Sequence, residues 1–168
     1  ASRGIGRACA LALAAQGASI TCLARSADAL EELLEELPRS AGQDHAFLPV
    51  DQDDPQRVGD RVGELLAEKP VQILVNNSGG PPDGPAHTAA PEEYLVAFRR
   101  HVLCSQVLLQ AVLPGMRAAG YGRVINIIST SVKQPIPNLG VSNTIRGAVA
   151  SWAKTLAGEL APYGITVN

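Results

Sequence analysis

Aromatic residues and cysteines are scarce in this chain of 168 residues, and neither sign of charge dominates. Phenylalanine, tryptophan and tyrosine together make up 4%, so the core has to be built from leucine, valine, isoleucine and alanine. The formal net charge of -2 gives no electrostatic basis for binding nucleic acid or an anionic membrane. No apolar run approaches the roughly 20 residues that cross a bilayer, and no signal peptide is visible. We therefore expect a cytoplasmic protein whose partners include neither nucleic acid nor a membrane.

The three cysteines, Cys9, Cys22 and Cys104, are widely spaced and form no CxxC motif. An odd number at this spacing is not typical of a disulfide framework or of a zinc site. We interpret them as reduced packing residues, and we expect no metal site.

Strand-like and helix-like apolar patterns alternate along the chain. Residues 3–16 carry apolar side chains at helical spacing, and residues 18–24 form a short run rich in β-branched residues. Ser26 is placed to cap a second helix, and Pro55 to begin a third. This alternation predicts an α/β fold with a doubly wound parallel sheet and helices on both faces. The length suits one domain over residues 1–168.

The middle of the chain contains a loop and then a long apolar helix. Residues 81–91 are rich in proline, glycine and alanine, which is typical of a loop. A long helix is predicted from Glu92, and Pro114 inside it predicts a kink or a break.

Both ends of the chain resemble the cut edges of a larger sheet. The opening ASRGIG is a turn and a helix start with no strand before it, and the closing GITVN resembles the start of a strand. We therefore expect a fragment that is truncated at both ends.

The segment from Tyr121 to Lys154 carries the clearest functional pattern. Val124–Ile128 is a continuous apolar run, which predicts a strand buried on both faces, and Ser129 follows at its C-terminal end. Ligands bind at that edge of an open α/β sheet. Ser142 and Arg146 are four residues apart on the following helix and therefore share one face. The pattern predicts that these three polar side chains meet over the sheet edge.

The opening turn has the composition of a phosphate-binding turn. Gly4 and Gly6 allow a close approach of the backbone, and the N-terminus of the helix offers free N–H groups and a partial positive charge. Arg25 directly follows the next strand, where a dinucleotide ribose would lie, and an arginine there suits a 2′-phosphate. The alternatives are an ordinary helix start and two surface arginines, Arg3 and Arg25.

Several motifs occur in a fixed order along nearly the whole chain. ASRGIG matches the end of a TGxxxGIG turn, and NNSG at residues 76–79 matches an NNAG motif with serine for alanine. They are followed by QAVLPGM, YGRVINIIS and ELAPYGITVN. Together these motifs resemble the short-chain dehydrogenase/reductase family, of the type that includes 3-oxoacyl-carrier-protein reductases.

The resemblance implies a Rossmann-type sheet that binds a nicotinamide cofactor. The basic pair Arg3 and Arg25 implies NADP(H), with NAD(H) the less favoured alternative. In this family, helices equivalent to residues 92–116 and 144–161 form the dimer faces of a tetramer, which implies a homo-oligomer. The implied cofactor-binding residues are Ser2, Arg3, Gly4, Ile5, Gly6, Arg25, Asp51, Gln52, Asn77, Ser78 and Gly79.

The catalytic positions depart from the family pattern. The family uses an Asn, a Ser and a Tyr-x-x-x-Lys pair, and these positions correspond to His101, Ser129, Ser142 and Arg146. A serine hydroxyl is a far weaker acid than a phenol, and arginine stays protonated, so it cannot relay a proton as lysine does. We expect His101 to titrate near neutral pH and to serve a proton relay.

The leading hypothesis is an NADP(H)-dependent oxidoreductase that transfers a hydride between the nicotinamide and a small carbonyl or alcohol substrate. The alternative is a catalytically degenerate nucleotide-binding protein that acts as a sensor or an oligomer partner, since tyrosine and lysine are absent. A third hypothesis is a different reaction on the same scaffold, such as dehydration or isomerisation. Turnover distinguishes the first hypothesis from the second, because both predict nucleotide binding.

Overall fold

A computed structural model describes residues 1–67 and 69–168, and its contacts divide the chain into two units, Ala1–Asp51 and Gln52–Asn168. The first unit contains two helices and two strands. These are α1 (Gly4–Ala15), β1 (Thr21–Ala24), α2 (Ala27–Glu36) and β2 (Ala46–Pro49). The two strands pair in parallel, with Thr21 opposite Ala46 and Ala24 opposite Pro49.

Local sequence signals explain where the elements of the first unit begin and end. The Ser26 hydroxyl accepts the Ala29 N–H at 3.3 Å and caps α2, as the sequence predicts. Gly17 follows α1 with a φ of 90°, and its N–H donates to the Ala14 carbonyl at 2.9 Å. Small alanines on α1 and leucines on α2 close the core, which comprises Ala10, Ala14, Cys22, Leu30, Leu33 and Leu37.

The second unit contains a three-stranded parallel sheet with order β3-β4-β5. Its helices and strands are α3 (Pro55–Leu66), β3 (Ile73–Asn76), α4 (Pro91–Phe98), α5 (Cys104–Ala119), β4 (Gly122–Asn126), α6 (Gly140–Leu160) and β5 (Ile165–Val167). Short turns of π-helix at Arg99–Leu103 and of 3₁₀-helix at Thr130–Val132 and Ala161–Tyr163 connect them. The helices and parallel strands confirm the predicted α/β class.

One face of this sheet carries the aliphatic core of the second unit. Val124 of β4 is fully buried among Met116 of α5, Leu160 of α6 and Ile165 of β5. Side chains alternate between the two faces of a strand, so Ile125 lies on the opposite face, where it is 38% exposed. The prediction of a strand buried on both faces over Val124–Ile128 is therefore wrong. The strand ends at Asn126, and Ser129 lies three residues beyond it.

The long helix is irregular at a different place from the one that the sequence predicts. Helix α5 continues through Pro114 without a break. The irregularity is the π-helical turn Arg99–Leu103, which joins α4 to α5. Such turns arise where an extra residue is accommodated within a helix, often at a functional site, and no single residue type signals them.

Residues Pro91–Ala119 form a helical stretch of 29 residues with a mean hydropathy of 1.3 in its most apolar window. By length and composition this stretch is able to cross a membrane, so the expectation that no segment has these properties is wrong. A helix at the centre of a protein core has the same properties. Cys104, Leu109 and Met116 of this stretch are buried in the second unit.

Candidate active site

Asparagines stand at the C-terminal ends of the two neighbouring strands β3 and β4. Asn76 and Asn126 are directly paired in the sheet, and the Asn76 Nδ2 donates to the Asn126 Oδ1 at 2.9 Å. The Asn126 Nδ2 in turn donates to the Asn168 carbonyl at 3.0 Å. These bonds hold the ends of adjacent strands together at the edge from which the loops emerge. Sequence analysis did not single out Asn126, although an asparagine near the end of each predicted strand was a visible signal.

Ser129 caps the 3₁₀ turn that follows β4. Its hydroxyl oxygen accepts the Ser131 N–H at 3.1 Å, and its side chain is partly exposed. A hydroxyl that accepts through its oxygen still has its own proton to donate. The cap therefore fixes the Ser129 oxygen and leaves one hydrogen bond for a bound molecule.

Arg146 is anchored at the same sheet edge. Its guanidinium donates to the Ile127 carbonyl at 2.8 Å, two residues before Ser129. Burial lowers its pKa, but the guanidinium remains protonated at any ordinary pH. Ser142, one turn earlier on α6, is partly buried. The first half of α6 thus places a fixed positive charge beside the end of β4.

His101 lies in the π-helical turn and is 3% exposed. Its Nδ1 shares a hydrogen bond of 2.6 Å with the Ser78 hydroxyl, and its carbonyl accepts from the Ser105 hydroxyl at 2.7 Å. The imidazole is therefore a buried partner of the turn that follows β3.

Burial, together with the smaller effects of the positive charges of Arg146 and Arg100, lowers the pKa of His101 to about 4. Hydrogen bonding to the Gly79 backbone and the charge of Asp53 act in the opposite direction but are weaker. The expectation that His101 titrates near neutral pH is wrong. The sequence places Arg100 beside His101, but the burial and the proximity of Arg146 come from three-dimensional packing.

An ion pair holds the π-helical turn from its other side. Arg100 donates to the two carboxylate oxygens of Asp53 through two bonds of 2.5 Å each. Arg100 is 24% exposed and Asp53 36% exposed. Sequence analysis missed this pair, which joins residues 47 positions apart.

A small cavity of about 10 Å³ lies between β3, β4, the π-helical turn and α6. Of the predicted site residues, Ser78, His101 and Arg146 line it, whereas Ser129 and Ser142 do not. The full lining is Asn76, Ser78, His101, Ser105, Asn126, Ile127, Arg146 and Val149.

In the first unit, the residues before α1 suit an anionic group. Gly4 has a φ of 57°, which favours glycine, and no atom lies within 4 Å of the position that a Cβ would take. The first turn of α1 contains no acidic side chain, and Arg3 beside it is exposed. The Ala1 nitrogen donates to the Leu23 carbonyl, so this segment lies next to β1.

The other predicted cofactor residues lie where strands end. Arg25 is exposed and directly follows β1, and Asp51 is exposed after β2. Ser2 is partly exposed in the first turn region, where Ile5 is 58% exposed and Gly6 is buried. In the second unit, Gln52, Asn77 and Ser78 are partly exposed, and Gly79 is exposed with no atom within 4 Å of its Cβ position. In the first unit, the exposed Arg3 and Arg25, the helix start and the uncrowded Gly4 fit the phosphate groups of a dinucleotide.

The buried neutral His101 predicts a pH dependence of stability. Between pH 6.5, the usual pKa of histidine, and about 4, only the unfolded chain protonates this group, so the unfolding free energy falls as the pH is lowered. The whole contribution amounts to about 3 kcal/mol. Asparagine does not titrate, so we expect the unfolding free energy of His101→Asn to depend less steeply on pH across this range. Denaturant titrations at a series of pH values measure it. An equal pH dependence of the unfolding free energy in the two proteins would contradict a buried, neutral His101.

Comparisons with known proteins identify similar sequences and similar folds. The family model for short chain dehydrogenase matches residues 1–168. The chain is similar to a very-long-chain 3-oxoacyl-CoA reductase of Aspergillus terreus, with 32% identity over 175 residues that cover 100% of this chain and 49% of the relative. The chain spans 49–58% of the length of the first curated relatives.

Two solved structures share the fold at 29–32% identity. The L-sorbose reductase of Gluconobacter frateurii, complexed with NADPH and L-sorbose, superposes with a TM-score of 0.92 over 99% of this chain and 64% of that chain. A metagenomic short-chain oxidoreductase in complex with NADP superposes with a TM-score of 0.88 over 98% of this chain and 74% of that chain. The Rossmann-type α/β fold predicted from the sequence is confirmed.

Proposed function

The chain belongs to the short-chain dehydrogenase family, and from that premise we propose that it is an NADP(H)-dependent oxidoreductase acting on the carbonyl or alcohol group of a small molecule. The observation that carries this proposal is Ser129. Its oxygen is held by the Ser131 N–H at the end of β4, and its proton remains free to bond a substrate oxygen. We propose that residues 1–168 act together as one NAD(P)-binding domain, since the family model matches all of them.

When bound, the nicotinamide cofactor would supply the hydride that reduces the carbonyl carbon of the substrate. Ser129, assisted by Ser142, donates a hydrogen bond to the carbonyl oxygen and stabilises the negative charge that develops there. Arg146 contributes a fixed positive charge and bonds the ribose hydroxyls of the cofactor. Neither serine is a useful acid at neutral pH, and His101 is neutral with a pKa of about 4. The proton that completes the alcohol therefore comes from solvent water, and His101 acts by holding Ser78 in place.

We assign phosphate binding in the first unit to Ser2, Arg3, Gly4, Ile5 and Gly6. In the same unit, Arg25 bonds the 2′-phosphate, and Asp51 lies near the adenine. In the second unit, the cofactor is contacted by backbone groups or polar side chains of Gln52, Asn77, Ser78 and Gly79. NADP(H) in two of the similar solved structures supports this choice over NAD(H).

Arg25→Glu is expected to weaken NADPH binding by about 10- to 100-fold, because it removes a charge-assisted bond to the 2′-phosphate. NADH binding should change much less, since NADH has no phosphate there. Fluorescence titration of each nucleotide measures both effects. Arg39→Glu is the matched control, because it makes the same charge change at another exposed position of the first unit. Equal affinity of the unchanged protein for NADPH and NADH would contradict the NADP(H) preference.

The function itself is tested by NADPH oxidation with a panel of ketones, aldehydes and 3-oxoacyl thioesters. Turnover of any of these supports the oxidoreductase proposal. Tight nucleotide binding without turnover supports the second candidate, a degenerate nucleotide-binding protein that acts as a sensor or an oligomer partner. The observation that favours this second candidate is the pair Ser142 and Arg146. Neither side chain is acidic enough to protonate the substrate oxygen. Substrate conversion without NADPH oxidation would indicate dehydration or isomerisation instead.

We also propose that the protein is a cytoplasmic homo-oligomer, a dimer or a tetramer, with neither a nucleic acid nor a membrane as partner. Apolar side chains on α4 and the π-helical turn support self-association. Leu95 is 62% exposed, Phe98 is 40% exposed and Leu103 is 43% exposed. Their spacing places them along one side of the helical stretch, and such a surface is typical of a contact between subunits.

A further inference from the structure

Two loops leave the edge of the three-stranded sheet, residues 77–90 after β3 and residues 127–139 after β4. They are joined to each other at the start of α6. The Gly84 N–H donates to the Asn138 carbonyl at 2.8 Å, and the Gly140 N–H donates to the Gly84 carbonyl at 2.9 Å. Two reciprocal backbone bonds thus tie the first loop to the chain segment that begins the helix.

This joint needs special residues on the side of α6. A Cβ on Gly140 would lie 2.3 Å from the Ala86 nitrogen and 2.4 Å from the Ala86 Cα, and neither backbone atom can move aside alone. Asn138 has a φ of 62°, a conformation that asparagine tolerates better than most residues. The close approach of the two loops therefore depends on glycine at position 140.

The second loop is held by a side chain of the same helical turn. The Asn143 Nδ2 donates to the Ile136 carbonyl at 2.9 Å, and the Asn143 Oδ1 accepts the Ile136 N–H at 3.4 Å. The amide group of Asn143 thus pairs with both backbone groups of one loop residue, as a neighbouring strand would. The Asn143 N–H donates to the Leu139 carbonyl at 2.8 Å, so Asn143 is itself fixed in the helix.

The turn that holds both loops is rigidly packed. Val141 directly precedes Ser142, Ile145 lies one helical turn after Val141, and both are buried against Ala97 of α4. Tyr94 of α4 packs against this cluster, and its hydroxyl donates to the Ala86 carbonyl at 3.4 Å. The two loops are therefore fastened to a well-ordered support rather than to each other alone.

We propose that the first turn of α6 is a clamp that holds these two loops as the walls of the substrate site, with Gly140 and Asn143 as positioning residues. The inference rests on the proposed oxidoreductase function, since Ser129 lies on the second loop and Ser142 lies between the two positioning residues. Gly140 and Asn143 themselves touch neither the substrate nor the cofactor. The clamp acts by reducing the number of conformations that the two loops adopt before the substrate binds.

The test compares Asn143→Ala with Ser151→Ala, an exposed position on the same helix. Hydrogen exchange resolved by residue is measured first, because it does not depend on activity. We expect the Ile136 amide to exchange about tenfold faster in Asn143→Ala and to remain unchanged in Ser151→Ala. The KM for the carbonyl substrate should rise about tenfold in Asn143→Ala, while NADPH affinity stays the same.

Gly140→Ala gives a second measurement, with Gly147→Ala as its matched control, since no atom lies within 4 Å of the Cβ position at Gly147. We expect faster exchange of the Gly84 amide in Gly140→Ala only. Unchanged exchange at Ile136 in Asn143→Ala overturns the clamp. Faster exchange with an unchanged KM overturns the positioning role. Absence of turnover in the unchanged protein overturns the oxidoreductase proposal and the positioning role with it, while the exchange result still decides whether the clamp exists.

Discussion

Ser129→Ala is expected to lower kcat/KM for carbonyl reduction by about 10²- to 10³-fold, the usual loss when a donor to a developing oxyanion is removed. The Ser131 N–H fixes the position of the Ser129 oxygen, so the hydroxyl is oriented before the substrate arrives. Alanine removes the donated hydrogen bond and leaves no other hydroxyl at that position. The measurement is steady-state NADPH oxidation with the best substrate found in the panel.

Ser129→Ala also removes the cap of the 3₁₀ turn, so the catalytic loss has to be separated from a structural one. Thr130→Ala is the matched control, because this neighbouring hydroxyl is exposed in the same turn. Ser129→Thr keeps both the hydroxyl oxygen and its proton, and it should recover most of the activity. A Ser129→Ala protein as active as Thr130→Ala would remove Ser129 from the mechanism.

The double change Ser142→Tyr with Arg146→Lys is expected to raise turnover by about 10²- to 10⁴-fold, the contribution that general acid catalysis typically makes. A phenol is a far stronger acid than a serine hydroxyl, and a nearby ammonium group lowers its pKa further. Arg146 donates to the Ile127 carbonyl. Lysine keeps a positive charge at this position, and its ammonium group takes up less space than the guanidinium. Single-turnover measurements of NADPH oxidation report the chemical step directly.

Ser151→Tyr is the control for this change, because it adds the same phenol to an exposed position of α6. A large gain from the double change in a protein that is otherwise nearly silent would make the degenerate nucleotide-binding protein the better description. No gain, or a loss, would show that Ser142 and Arg146 are themselves suited to the natural reaction.

The parts of the fold that depend on local signals were predictable from the sequence. The pattern over residues 3–16 agrees with α1 at Gly4–Ala15, and Pro55 begins α3 as expected. The Ser26 cap also appears where its chemistry places it, because caps involve neighbours within a few residues. The first strand was predicted too long, at residues 18–24 against the observed Thr21–Ala24, and the predicted strand Val124–Ile128 is displaced by two residues from Gly122–Asn126. Strand ends are hard to predict because they depend on pairing with distant segments.

The candidate site was predictable in its parts but not in its arrangement. Ser129 lies three residues beyond the end of β4, and Arg146 bonds the Ile127 carbonyl between that end and Ser129. The neutral state of His101 was not predictable, because its burial, which is the largest cause, and the charge of Arg146 depend on packing between different elements. The Asn76–Asn126 bond was not predictable either, because it joins residues 50 positions apart in the sequence.

The asparagine bonds at the strand ends also bear on how the protein folds. The link from Asn76 to Asn126 closes a loop of 50 residues, and the link from Asn126 to Asn168 closes one of 42 residues. Closing such long loops costs entropy before any contact compensates for it, so sheets joined in this way fold slowly. The polar edge that carries Ser129 and Arg146 thus takes shape only after helices α5 and α6 have brought distant strands together. We therefore expect local helices to form early in this chain and its polar sheet edge to form late.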